Sequence, residues 1–231
     1  MNSKISYMKK VFLFFMVLSA VMFHSCKDDA ITVKNGELVQ LNHGDTHQID
    51  AESISMIRYE SSDEYHAQVS QDGLVQANYV GTANILLNND IEEKLVRVEV
   101  KALSNLYEEP DITFGDNKAS VIDKLGTPFE DNGNTLLYKD YSSSVSYLLV
   151  LFENDRVLSY AVMLDHSHAF ELTTFIGERY RSLGVIDKYF CYINSLQLAD
   201  ATMMVGLGTY SYDQEVYEVA VYMSGVEIMN F

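Results

Sequence analysis

Between Leu38 and Val100 the chain alternates apolar and polar residues in short runs. These are Leu38-Val39-Gln40-Leu41, Ile54 to Tyr59, Ala67-Gln68-Val69, Leu74-Val75-Gln76-Ala77, Ala83 to Leu87 and Leu95 to Val100. A period of two, broken by polar turns, predicts strands with one buried face, and the absence of a competing 3.6-residue period points to an all-β sandwich. Asp72-Gly73 separates two of the runs and supplies the positive φ angles of a tight hairpin turn.

The pattern then changes. Leu103 to Asp111 is polar and carries Glu108-Glu109-Pro110, which reads as a linker because the residue before proline is pushed out of the helical region. Phe114 to Pro128 predicts one short helix. Asp116 or Asn117 caps it, Val121, Ile122 and Leu125 form its stripe, and Gly126 with Pro128 stops it. Strands follow over Thr135 to Tyr141 and Val145 to Leu164, the second folded back at Glu153-Asn154-Asp155-Arg156. The same order recurs. His168 to Gly184 predicts a longer amphipathic helix with Leu172, Phe175, Ile176, Tyr180 and Leu183, and strands follow at Lys188 to Ile193, Met203 to Tyr210 and Val216 to Met223. Tyr147 to Phe152 and Tyr217 to Tyr222 occupy equivalent places. The fold class expected is therefore two domains: an N-terminal all-β sandwich, and a C-terminal α+β domain in which two helix-then-strands units share an antiparallel sheet.

The N-terminus carries an address. Lys9 and Lys10 precede the uncharged run Val11 to Phe23, which fits the charged and apolar regions of a secretory signal and is too short for a membrane span of roughly 20 residues. Phe23-His24-Ser25-Cys26 resembles the lipobox of bacterial lipoproteins, with small Ser25 and Cys26 matching and Phe23 and His24 departing from the usual residues. The resemblance implies that the Cys26 thiol is alkylated by diacylglycerol and that residues 1–25 are removed. Lys27-Asp28-Asp29 resembles the Lys-acidic-acidic export signal of Bacteroidetes-type surface lipoproteins. Multiple acyl chains on one residue exceed the threshold for stable anchoring. The expected organisation is a signal peptide over 1–25, lipidated Cys26 and tether over 26–30, a sandwich over 31–102, a linker over 103–111 and an α+β tandem-unit domain over 112–231.

Two further resemblances rest on motifs. Tyr59-Glu60-Ser61-Ser62-Asp63, Ala67 to Val75 with its Val-Ser-x-x-Gly-x-Val spacing, and Val80-Gly81-Thr82-Ala83-Asn84-Ile85 are similar in order and spacing to bacterial Ig-like domains of group 2, found in intimin- and invasin-type surface proteins. The resemblance implies a stalk, spacer or adhesive module without catalysis, with Tyr59 filling the inter-sheet core where that family often has Trp. The opening Phe-Gly-Asp-x-x-x-x-Val-x-x-Lys-Leu-Gly-x-Pro, from Phe114 to Pro128, resembles small domains related to the barrel-assembly accessory lipoprotein, and the doubled layout is similar to the β-lactamase-inhibitor-protein fold. What this implies is a protein-binding surface on a sheet.

Charge narrows the partners. The chain has 16 basic and 33 acidic residues, and removing residues 1–26 takes away three of the basic ones and none of the acidic. Nucleic acid and anionic headgroups are poor partners for such a surface. With Cys26 used, only Cys191 remains, so no intrachain disulfide is available and the fold rests on burial. Sixteen Tyr and eleven Phe supply much of that buried area.

No catalytic constellation emerges. Asp165, His166 and His168 form the most metal-like cluster, but their position between a strand and a helix makes Asp165 and Ser167 ordinary capping residues. His43 and His47 bracket a turn. Cys191 lies in an apolar strand without a neighbouring His or Lys to lower its pKa. Ser142-Ser143-Ser144 lacks a nucleophile-elbow context, and Gly206-Leu207-Gly208 lies within strand-like sequence, remote from any helix start. The acidic residues Glu108, Glu109, Asp111, Asp116, Glu130 and Asp131 form no calcium-loop spacing. Tyrosines on alternating strands are more informative, because one parity packs inside and the other faces out; Tyr138, Tyr147, Tyr212, Tyr217 and Tyr222 are the candidate binding surface. The expected function is a non-enzymatic, outer-membrane or cell-surface lipoprotein without cofactor, in which an Ig-like stalk presents a protein- or ligand-binding, adhesive α+β domain. Alternatives are an accessory lipoprotein of an envelope assembly or nutrient-uptake complex, and a glycan-binding module. The partners expected are the membrane, through Cys26, and a protein or glycan.

Overall fold

The computed structural model describes residues 29–225. The segment expected to be a signal peptide, Cys26, Lys27 and Asp28 lie outside the described residues; Asp29 lies within them.

The first unit has nine strands: β1 (Thr32–Val33), β2 (Leu38–Asn42), β3 (Thr46–Gln48), β4 (Ala51–Glu52), β5 (Arg58–Ser61), β6 (Ala67–Val69), β7 (Leu74–Ala77), β8 (Gly81–Asn88) and β9 (Glu93–Lys101). A four-stranded sheet in the order β2-β9-β8-β5 and a three-stranded sheet in the order β3-β7-β6 share one core, while β1 and β4 form a separate pair. Alternation places Ala83, Ile85 and Leu87 of β8 and Val96, Val98 and Val100 of β9 inward, against Val75 and Ala77 of β7. At the Asp72-Gly73 turn only Gly73 has positive φ, at 83°, and its N–H donates to the Ser70 carbonyl at 3.0 Å. The connection is thus a longer turn closed by a left-handed glycine, not a hairpin with two left-handed residues. A Cβ on Gly73 would lie 2.9 Å from the Tyr59 ring, so Tyr59 reaches from one sheet across to the turn of the other.

The second unit runs α1 (Lys118–Leu125), β10 (Glu130–Asp131), β11 (Thr135–Lys139), β12 (Val145–Glu153), β13 (Arg156–Asp165), a 3-10 turn over His166–His168, α2 (Ala169–Gly177), β14 (Arg181–Ile186), β15 (Tyr189–Ile193), β16 (Met203–Tyr212) and β17 (Glu215–Ser224). One eight-stranded antiparallel sheet in the order β10-β11-β12-β13-β17-β16-β15-β14 dominates it. Three tight connections have two consecutive left-handed residues: Asn154-Asp155, Asp187-Lys188 and Asp213-Gln214. That geometry matches the right-handed twist of the flanking strands, and Asn and Asp tolerate it best after glycine.

Two expectations change. The helix expected to reach Gly184 stops at Gly177, and residues 181–186 are strand β14. Gly184, with φ of 85°, serves a register shift opposite Cys191 and does not end a helix. Tyr180 and Leu183 match the helical period of Leu172, Phe175 and Ile176 only by coincidence. The unit is accordingly strand-dominated, with two short helices. The polar connection from 103 to 111 is also not loose, because Leu106, Tyr107 and Pro110 are buried, and the Tyr107 ring lies 4.3 Å from that of Phe175. Local polarity missed this because the apolar residues are few but large.

The units meet at the pole of the sandwich opposite its N-terminal end. Val80 N–H donates to the Glu178 carbonyl at 2.9 Å, and the Tyr65 hydroxyl donates to the Arg179 carbonyl at 2.7 Å. Glu178 is 3 % exposed, and its carboxylate accepts from the backbone N–H groups of Leu103 at 2.7 Å and Ser104 at 3.0 Å and from Arg179 Nη1 at 2.6 Å.

Candidate functional site

Strand parity decides which side chains of the eight-stranded sheet are available. Leu148, Val150, Phe152, Tyr160, Val162, Leu164, Val205, Leu207, Ala220 and Tyr222 project to the face covered by α1, α2 and the segment around Tyr107. The opposite parity is equally apolar and, among the described residues, has no helix over it. It presents Leu149, Leu151, Ala161, Met163, Val219 and Val221 near the centre, and Cys191, Met204 and Met223 towards β14. A sheet apolar on both faces needs cover on both.

Two adjoining hollows mark the open face. One of about 480 Å³ is bounded by Leu183, Ile186, Tyr189, Leu198, Met204 and Met223; one of about 280 Å³ is bounded by Leu151, Met163, Tyr189, Gly208, Tyr210 and Val219. Tyr189 and Val221 border both, so Tyr189 stands between the two halves of one trough. Gly208 makes this possible, since a Cβ there would come within 2.8 Å of the Tyr189 ring. Gly206 and Gly208 thus have a packing role in the trough floor on β16. Tyr189, Leu198 and Tyr210, all more than half exposed, border it; Val185 and Phe190, equally exposed, pair with each other and with Leu207 and so have the parity of the covered face.

The five tyrosines proposed as a surface divide by parity. Tyr147, Tyr212 and Tyr217 lie on the open face, where the Tyr147 ring meets the other two edge-on at 5.2 and 5.6 Å. Tyr138 and Tyr222 do not: both point to the covered face, at 6 % and 0 % exposure. Tyr222 belongs to a buried polar knot. Its hydroxyl donates to Glu109 Oε1 at 2.9 Å and lies 2.8 Å from that of Tyr107, while the Tyr180 hydroxyl donates to Glu109 at 2.8 Å. The ring of Tyr222 stacks on that of Tyr160 at 4.5 Å. Burial, followed by the neighbouring Tyr107 and Glu109, holds the Tyr222 phenol well above its ordinary pKa, so it stays a neutral donor. Glu109 was legible only as one acid in a polar run, because its partners are remote in sequence.

Asp165, His166 and His168 do not converge. The Asp165 carboxylate accepts from Ser167 N–H at 2.8 Å, His166 Nδ1 pairs with Glu218 at 2.5 Å, and His168 pairs with Glu171 at 3.5 Å. Among the described residues no group of three His, Cys, Asp or Glu side chains is arranged to hold a metal ion. Cys191 is buried beneath the larger hollow, and burial pushes its thiol pKa up. Its alkylation by iodoacetamide at pH 7.5 is expected to be at least about 100-fold slower in the folded protein than in urea, as befits a buried thiol kept out of the thiolate form. Equal rates would show that the trough floor is open to solvent.

At the other pole of the sandwich, Asp29 is bound to the chain. Its carboxylate accepts from the Ser53 hydroxyl and Ile54 N–H, both at 2.7 Å, and from Ser55 N–H at 3.0 Å. The Ser55 and Ser53 hydroxyls are the main causes that hold its pKa down to about 2. A depressed folded-state pKa gives an interaction that is complete above the ordinary value of 3.8 and lost as the pH falls through about 2. The backbone amide signals of Ile54 and Ser55 are expected to titrate with a midpoint near that lower value; a midpoint near 3.8 would mean that Asp29 is free.

Searches against known proteins give three results. No curated protein matches the chain in sequence. Among solved structures, domains 5–6 of the S-layer protein SbsC align at 10 % identity, covering 84 % of this chain and 83 % of that one, with a TM-score of 0.25. Domains 4–9 of SbsC align at 12 % identity over 84 % and 26 % of the two chains, TM-score 0.26, and human protocadherin-24 EC1-2 at 11 % over 83 % and 94 %, TM-score 0.25. Residues 20–100 match the family model of the bacterial Ig-like domain (group 2), and the sandwich is a domain of that family.

Proposed function

We propose that this chain is a non-enzymatic cell-surface lipoprotein, anchored through Cys26 to the outer membrane, in which the Ig-like domain is a spacer and the second unit is an adhesive tip that binds another protein through the sheet face that α1 and α2 leave uncovered. The observation that carries the reading is the trough: a continuous apolar surface on the distal unit, bordered by exposed Tyr189, Leu198 and Tyr210. Contiguous exposed apolar surface of this kind favours a macromolecular partner. The order of the parts supports it as well. Strand β9 runs nine residues from the pole near Asp29 to the pole that meets the second unit, which sets the two about 30 Å apart. In the tip each half supplies one helix and then four strands, and the halves meet side by side at β13 and β17. That layout favours the likeness to tandem-unit binding domains that use a sheet as their contact surface.

The glycan-binding alternative draws less support, because Tyr147, Tyr212 and Tyr217 pack on one another and leave little flat ring surface for a sugar. An accessory role in envelope assembly is the competing reading, and it predicts a tip facing the periplasm. Protease treatment of intact cells separates them, since a displayed tip is cut and a periplasmic one is protected. In the displayed form, replacing exposed Leu198 by Asp and Tyr210 by Ser is expected to weaken partner retention at least about tenfold without changing the thermal midpoint, as for apolar anchors of an interface. Unchanged retention would exclude this face. Radioactive palmitate should label the protein but not a Cys26→Ala variant.

A further inference from the structure

The sandwich pole that holds Asp29 carries apolar side chains that point into solvent. Ile54, Met56 and Ile91 are 68 %, 77 % and 72 % exposed, the highest values among the large hydrophobics of this domain. They come from two different loops, 53–57 and 89–92, held together at one place. Asn89 Nδ2 donates to the Ser53 hydroxyl at 2.7 Å and to the Asp29 carbonyl at 2.6 Å, and Asn89 Oδ1 accepts from Ile91 N–H at 3.1 Å. Asp29 itself accepts from Ile54 N–H. The N-terminal strap, the Ile54 loop and the Ile91 turn are therefore one structural unit.

Resting on the reading of Cys26 as the lipidation site, we infer that this pole is a membrane-contacting rim in which Ile54, Met56 and Ile91 enter the headgroup region of the bilayer beside the anchor. Covalent geometry supplies the first argument. Asp29 is fixed to the domain, and the three residues from Cys26 to Asp29 span at most about 10 Å, so an acylated Cys26 holds this pole at the bilayer surface. Depth is the second, since apolar side chains at an interface bury about 5–10 Å into the headgroup boundary, a reach that loop-tip isoleucines and methionine can cover. Charge is the third. The chain as a whole is acidic, yet at this pole Arg58 pairs with Asp90, Lys34 pairs with Glu52, and the carboxylates of Asp29 and Glu92 are taken up by the amides of Ile54, Ser55 and Ile31. This lowers the cost of bringing the pole against a zwitterionic surface. The spacer is thereby held upright, with the opposite pole and its trough-bearing unit directed away from the lipid.

The chain contains no Trp, so single Trp reporters read depth without background. The acylated full-length mature protein, in phosphatidylcholine vesicles with brominated acyl chains, would carry Ile54→Trp, Ile91→Trp or, as a distal control, Phe170→Trp on exposed α2. Emission from the first two should shift to the blue and fall by about half or more, while the third is unchanged. Unquenched Ile54→Trp and Ile91→Trp in protein whose mass includes the acyl chains would overturn the rim and leave the anchor standing. Quenching of all three would overturn the upright pose. A mass without acyl chains would overturn the anchor and the rim together. Because the substituted positions are solvent-exposed, unchanged circular dichroism is expected for every variant.

Discussion

Replacing Glu178 by alanine is expected to cost about 3 kcal/mol of stability, within the range seen when one partner of a buried ion pair is removed. Glu178 follows the last residue of α2, where an acidic side chain opposes the helix dipole. Its presence there is explained by what it binds. Its two oxygens satisfy the backbone N–H groups of Leu103 and Ser104 just after the chain leaves the sandwich, and they pair with Arg179, whose guanidinium lies 3.7 Å from the Phe175 ring centroid. In the alanine variant both amides lose their acceptor, that of Ser104 in a buried setting, and Arg179 keeps only the carbonyls of Phe175 and Ser104. Glu178→Gln retains one acceptor oxygen of the same shape, and about half the loss is expected from it. The effect should also be visible in the coupling of the two units. Urea unfolding of the alanine variant should separate into two transitions, and limited proteolysis should open the connection between residues 103 and 111. A loss below about 1 kcal/mol with a single transition would show that the junction is held by packing alone, since that is the scale of one ordinary hydrogen bond.

How far the sequence discloses this molecule depends on which interactions are local. The strands of the second unit and the turn at Asn154-Asp155 follow from alternation and from residues that tolerate positive φ, both properties of near neighbours. Asn117 as the cap of α1 is equally local: its side chain accepts from Ser120 N–H at 2.8 Å, while Asp116 turns to Lys124. Strand β14 was hidden because Leu183-Gly184 has the form of a helix stop, and only pairing with β15 gives that glycine its actual role. The open face of the sheet was half legible. Parity separates Tyr147 and Tyr217 from Tyr222, but strands β12, β13 and β17 are apolar in both parities, so nothing along the chain says which face two short helices cover. The trough needs more still: Tyr189 over Gly208 is a contact between neighbouring strands whose register is fixed by the whole sheet. The tether shows the reverse. Asp29 read as one acid of an export signal, and it is also the residue that docks the N-terminal strap on the 53–55 loop.

Tyr222→Ala should be the most damaging single substitution in the second unit, at about 4–5 kcal/mol. Removing a fully buried aromatic ring costs roughly 3–5 kcal/mol through lost transfer energy and the cavity that remains. Tyr222 is 0 % exposed, lies on β17 between β13 and β16, and stacks on Tyr160, so the void would open at the seam where the two halves of the sheet meet. The hydroxyl adds to this, because without it Glu109 keeps only Tyr180 as a phenolic donor and Tyr107 loses its hydroxyl partner. Tyr222→Phe isolates that part. It keeps the ring and should cost about 1–2 kcal/mol, the scale of a hydrogen bond to a charged acceptor in a buried site. The double variant Tyr222→Phe with Glu109→Gln should recover part of the loss, because the carboxylate left short of donors is then neutral; additive losses would show that the two groups act independently. Because the ring faces away from the trough, Tyr222→Phe should leave partner retention through the open face unchanged. A retention defect in that variant, with stability lowered by no more than the hydroxyl accounts for, would transfer the binding role from the open face to the covered one.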